Sequence, residues 1–102
     1  MDNANDKATR SIAVIVKVFG GLREEFGTAE QRIVLPPGSP LGVLLAQLRR
    51  NKPALGCRLD EGLAKGYLNI LVNGRNARFL EQMDTRLHDA DVVAFLPPIG
   101  GG

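Results

Sequence analysis

A five-residue block, Pro36-Pro37-Gly38-Ser39-Pro40, separates a stretch with the period of a strand from a stretch with the period of a helix. Proline has no N–H to donate, so no β-ladder runs through the block. Before it, the residues from Ile12 to Phe19 alternate, with Ile12, Val14, Val16 and Val18 on one face and Ala13, Ile15, Lys17 and Phe19 on the other. Gly20-Gly21 ends that run, Leu22 to Gly27 reads as a connector of one helical turn, and Glu30 to Leu35 reads as a second strand. The two strands suggest a hairpin with a long loop. After the block, Leu41, Leu44, Leu45 and Leu48 recur at helical spacing and form an apolar stripe. Ser39 followed by Pro40 matches an N-cap with proline at the first helical position, which predicts a helix over residues 40–51, closed by Pro53 and Gly56. A leucine stripe needs an apolar partner, so this helix must cross one face of the sheet.

Residues 53–66 read as an irregular loop anchored by Leu55, Leu59 and Leu63. A third strand spans Tyr67 to Asn73, with Leu68, Ile70 and Val72 facing opposite to Tyr67, Asn69, Leu71 and Asn73. Asn73-Gly74 is a tight-turn signal, a short strand is expected near Asn76 to Phe79, Leu87 to Asp91 reads as a turn, and Val92 to Leu96 is the final strand. One main helix and a mixed sheet of four to five strands make an α+β chain.

Among 102 residues a single domain is expected, with residues 1–10 a disordered extension, 11–98 the folded body and 99–102 a C-terminal tail. A hydrophobic fraction of 44% with 24% charged residues is that of an ordinary globular chain. The polar N-terminus has no apolar signal-peptide core, and no run has the length of a membrane-spanning helix, so no membrane partner is expected. The single cysteine, Cys57, allows no intrachain disulfide and fits a reducing, cytoplasmic setting. A net charge of +2 without clustered basic and aromatic residues argues against nucleic acid. Arg49-Arg50 with Lys52 reads as the basic last turn of the helix, favoured by its dipole.

Few side chains suggest chemistry. Cys57 has no neighbouring His or Asn motif and reads as structural. His88, the only histidine, sits in a turn and reads as solvated. Glu24-Glu25, Asp89 and Asp91 read as loop charges and Asx-turn formers, so no metal site is expected. Gly20-Gly21 lacks the lysine and the spacing of a phosphate loop.

The end of the chain differs in kind. Val92 to Leu96 leads into Pro97-Pro98-Ile99 and then Gly100-Gly101-Gly102. Proline holds φ near an extended value, and glycine has no Cβ, so such a leash passes a channel too narrow for other residues. Residues 99–102 span on the order of 13 Å when extended. This pattern points to a protein whose own terminal carboxylate is the reacting group. A frayed or idle tail is the alternative.

These segments together resemble the MoaD/ThiS family of ubiquitin-like sulfur carriers, and most of all its molybdopterin-synthase small-subunit branch. The resemblance covers residues 11–102. It is carried by the run from Val18 to Gly27, the Leu35-Pro36-Pro37-Gly38-Ser39 approach to the helix, Leu71-Val72-Asn73-Gly74, and above all the segment from Leu87 to Gly102. The N-terminal ten residues have no counterpart, the stretch from Arg75 to Asp84 is longer than usual, and Gly100 stands where pterin-branch carriers more often have a side chain. The resemblance implies a β-grasp fold with the first and last strands side by side in the sheet centre. It implies a carrier, not an enzyme, with no bound cofactor, though one able to form the small subunit of a synthase complex. An E1-like (MoeB/ThiF-type) adenylyltransferase would use ATP to adenylate Gly102, and a cysteine desulfurase or rhodanese would supply sulfur to form a thiocarboxylate. The recipient would be a MoaE-type large subunit of molybdopterin synthase or, alternatively, a thiazole synthase; conjugation through Gly102 as a protein modifier is the other alternative. Gly100, Gly101 and Ile99 would thread the partner's active site. The docking face is expected to comprise Ile15, Phe19, Leu71, Val93 and Phe95, read as the sheet residues pointing away from the helix.

Overall fold

Strand β1 (Ile12–Val18) keeps the alternation of its sequence: Val14, Val16 and Val18 are buried, while Ile15 and Lys17 are part-exposed on the other face. There follow α1 (Leu22–Phe26), β2 (Glu30–Leu35), α2 (Leu41–Asn51), α3 (Pro53–Ala64), β3 (Asn69–Val72), β4 (Arg75–Asn76), two 3₁₀ turns (Ala77–Phe79 and Gln82–Asp84) and β5 (Val92–Leu96). This computed structural model describes residues 10–97. Apart from Arg10, the expected N-terminal extension lies outside the described residues, as do Pro98 and the whole expected tail, 99–102.

The five strands form one mixed sheet in the order β2-β1-β5-β3-β4. β1 runs antiparallel to β2 and parallel to β5, and β3 runs antiparallel to both β5 and β4. The first and last strands are therefore central neighbours, the β-grasp arrangement. The α2 stripe of Leu41, Leu44, Leu45 and Leu48 is fully buried against one sheet face, where it meets Val14, Val16, Val18, Ile33, Leu35, Ile70 and Val72.

Three local expectations change. Residues 53–64 are a helix, not a loop. Pro53 does not simply close α2; it opens α3 at a first-turn position, where its missing N–H costs nothing. Leu55, Leu59 and Leu63 are the i, i+4, i+8 stripe of that helix, with Leu55 and Leu59 buried and Leu63 packed at the core edge. Gly56 is not a stop: a Cβ there would come within 2.8–3.0 Å of Arg49, so this glycine lets α3 lie close against the end of α2. Second, Ser39 caps no helix. Its buried hydroxyl donates to the Pro36 carbonyl at 2.7 Å, and Pro40 takes the N-cap position. The first α2 amide, that of Leu41, donates instead to the Thr85 carbonyl at 2.8 Å. Third, β4 is Arg75–Asn76 only, because Asn76 accepts a bond from the Arg78 amide and turns the chain into a 3₁₀ helix.

Candidate functional site at the base of the C-terminal tail

β5 delivers the chain to Pro97, and its starting point is tied down from both sides. The Ile15 amide donates to the Asp91 carbonyl at 2.8 Å and the Ala90 amide to the Ala13 carbonyl at 2.7 Å. Asp89 accepts the Ala13 amide at 2.8 Å, and Asp91 accepts the His88 amide at 2.8 Å. Asn73 bridges the same region: its side-chain oxygen accepts the Val92 amide and its side-chain nitrogen donates to Asp91, both at 2.9 Å. Asp89 and Asp91 are thus the turn formers expected of them. His88 lies exposed, with Nδ1 3.6 Å from Asp91. Among the described residues no group of three or more His, Cys, Asp or Glu is placed to hold a metal ion. Cys57 is exposed on α3 and not packed into the core. Glu25 pairs with Arg58 at 3.2 Å.

Two of the five expected docking residues belong elsewhere. Val93 and Phe95 are fully buried in the core beneath the helices. Residues paired across a ladder share a face. Val93 stands opposite Val16 and Val72, and Phe95 opposite Val18 and Ile70, all on the helix side. The open face of β5 consists of Val92, Ala94 and Leu96, which pair with Ile15, Lys17, Leu71 and Asn69. The run Val92-Val93-Ala94-Phe95-Leu96 is apolar throughout, so it carries no alternation from which its phase can be read. Ile15 and Leu71 do lie part-exposed on the open face, and Phe19, 38% exposed, lies just beyond the end of β1.

Pro97 lies beside Gly20. Gly20 has φ +63, and a Cβ there would approach the Pro97 ring to 3.1 Å; a Cβ at Gly21 would approach Arg58 Nη2 to 3.2 Å. A groove of about 210 Å³ opens next to them, walled by Pro97, Leu22, Leu68, Tyr67, Arg58 and the Glu61–Gly62 turn of α3. The Lys65 ammonium, 3.0 Å away, holds the Glu61 carboxyl below its usual range. No ionisable side chain within the described site is arranged as a nucleophile with its base; β5, tied at its start by Asp89, Asp91 and Asn73, leads to Pro97.

A five-stranded mixed sheet with β1 and β5 as its central parallel pair, packed on α2, defines the ubiquitin-like β-grasp class. The chain belongs to the ThiS family, whose model matches residues 16–102. It is 32% identical to the small archaeal modifier protein 3 of Haloferax volcanii over 88 residues, 85% of this chain and 96% of that protein. It is 32% identical to the sulfur carrier protein CysO of Mycobacterium tuberculosis over 79 residues, 74% of this chain and 85% of that one. The solution structure of small archaeal modifier protein 1 from Methanosarcina acetivorans aligns with a TM-score of 0.75 at 37% identity, covering 91% of this chain and 99% of that chain. A putative molybdopterin converting factor subunit 1 from Pyrococcus furiosus aligns with a TM-score of 0.67 at 27% identity, covering 86% and 99%. The two relatives at 32% identity are a modifier and a sulfur carrier, and this chain is a ubiquitin-like sulfur carrier of the same family, not an enzyme.

Proposed function

We propose that Gly102 is the reacting residue and that the carrier serves molybdopterin biosynthesis. A carboxylate is a poor electrophile, because attack at its carbon would have to expel oxide. In the proposed reaction an E1-like adenylyltransferase brings ATP; the Gly102 carboxylate oxygen attacks the α-phosphorus and pyrophosphate leaves. A persulfide on a cysteine desulfurase or rhodanese then attacks the acyl carbon and AMP leaves, giving an acyl disulfide. A thiol then attacks the donor cysteine's sulfur, so that the S–S bond breaks, the Gly102 thiocarboxylate leaves and the donor cysteine is left in a disulfide with that thiol. No side chain of this protein is needed for either step. Its part is to present Gly100, Gly101 and Gly102, with Ile99, to a narrow active site from a fixed mount.

The observation that carries this reading is the placement of Pro97 at the exit of the central strand, with a family match that runs on through Gly102. The open sheet face fits docking to a large synthase subunit through Ile15, Leu71 and Phe19, now joined by Val92, Ala94 and Leu96 in place of Val93 and Phe95. Such contacts offset the backbone entropy lost when a glycine tail is threaded. The pterin destination is supported by the resemblance of the Leu87–Gly102 segment and by the Pyrococcus neighbour. Intact-mass measurement after incubation with an activating enzyme, ATP and a sulfur donor tests the chemistry: one oxygen is replaced by sulfur. An unchanged mass, where the same enzyme charges a control carrier, would falsify the reading. Sulfur transfer to a molybdopterin synthase large subunit, and not to a thiazole synthase, tests the destination.

Similarity to two archaeal modifier proteins favours a second use of the same activated end, conjugation to lysines. Peptides bearing a Gly-Gly remnant on lysine, absent when Gly102 is removed, would be its signature.

A further inference from the structure

The groove beside Pro97 is left without an occupant by the sulfur-carrier reading, and Gly20-Gly21 without a role. Both lie where the tail begins. Pro97 is itself one wall, and residues 98–102 follow it directly in the chain. The two glycines keep a path open: Pro97 stands over Gly20 and Arg58 Nη2 over Gly21, each so near that a Cβ would crowd it. Consecutive Cα atoms are 3.8 Å apart, which puts the Pro97 ring and the Arg58 guanidinium no more than about 13 Å from each other. Five extended residues reach about 17 Å, so residue 102 has slack to meet Arg58. The groove's chemistry matches the tail in order. Leu22 and Leu68 offer apolar surface within reach of Ile99, two residues beyond Pro97, and Arg58 offers a cation further along. Arg58 engages Glu25 through Nη1, while a guanidinium carries five N–H donors. Among the described lining residues Glu61 is the one acid, and it already pairs with Lys65.

We propose that this groove receives the chain's own tail, with Ile99 against Leu22 and Leu68 and the Gly102 carboxylate on Arg58, so that the uncharged carrier holds its reacting end until an activating partner displaces it. The carboxylate contact rests on the reading of Gly102 as the free reacting end; the Ile99 contact does not. The bound fraction would lower the apparent affinity of the activating enzyme in proportion, because only the released tail is competent.

The full chain, labelled for methyl and amide NMR without any partner, tests this apart from sulfur chemistry. Nuclear Overhauser contacts are expected between the Ile99 methyls and those of Leu22 and Leu68, unchanged on dilution. Arg58→Gln and Ile99→Asp are each expected to weaken them and to move the Leu22, Tyr67 and Leu68 amides toward a common position. Absence of those contacts in the wild-type chain overturns the proposal, as does their disappearance on dilution, which would assign them to a second copy. Ile99→Asp leaving the Leu22 and Leu68 signals in place overturns it as well.

Discussion

Asp89 illustrates how a single loop residue ties the turn before β5 to the start of β1. Its carboxylate accepts the Ala13 amide, 76 positions away, and Ala13 is buried. Asp89→Ala removes the acceptor and leaves an N–H at the start of a central strand without its partner, a loss of about 1–3 kcal/mol. Urea unfolding should show the midpoint lowered with an unchanged slope, and Asp89→Asn, which keeps an acceptor oxygen, should recover most of it. Phe95 gives a sharper contrast. As a docking residue it would tolerate truncation; as a fully buried ring it cannot. Phe95→Ala is expected to cost about 3–5 kcal/mol, enough to remove much of the stability of a chain this size. Retained stability with lost partner binding would restore Phe95 to the open face.

Among the elements, α3 shows why a proline and a glycine cannot be read from spacing alone. Pro53 and Gly56 look like terminators after α2, yet one begins the next helix and the other sits where two helices approach. Gly56→Ala adds a methyl that meets Arg49 Cα at 2.9 Å and Cγ at 2.8 Å. Ala has the better helix propensity by about 1 kcal/mol, but overpacking against backbone typically costs about 1–3 kcal/mol. The contact involves a Cα and not only a flexible side-chain end, so the net effect is destabilising. A thermal melt of Gly56→Ala that rises would mean that α3 moves away from α2 freely. The Leu55–Leu59–Leu63 spacing was the legible signal for this helix, and the Pro53 and Gly56 punctuation masked it. On β1 and β3, by contrast, Lys17 and Asn69 break the apolar runs, and their faces follow from the alternation alone.

At the scale of the whole molecule, body and tail separate in their consequences. Among the described residues, none of the core lies beyond Phe95. Deleting Gly101 and Gly102 should therefore leave the body folded, with a cooperative unfolding transition, while abolishing the mass increase on charging. Loss of the cooperative transition would show that the tail is needed for the fold. Leu71→Glu on the open face should leave the body folded and reduce capture of a large synthase subunit at least tenfold, a loss of about 1.4 kcal/mol or more; undiminished capture would move docking off this face.

By itself the sequence determined the parts with a clear period or a hard steric rule. These are the faces of β1 and β3, the leucine stripe of α2 and the ladder break at Pro36–Pro40. Only the tertiary structure decided the face of Val93 and Phe95, because an unbroken apolar strand takes its phase from the parallel pairing with β1. Only the packing of α3 on Arg49 decided what Gly56 is for, and only the return of β5 past Gly20-Gly21 put Arg58, Leu22 and Leu68 beside the base of the tail. Periodicity reports a residue's relation to its near neighbours along the chain. These last assignments depend on partners dozens of positions away, and the fold alone brings those together.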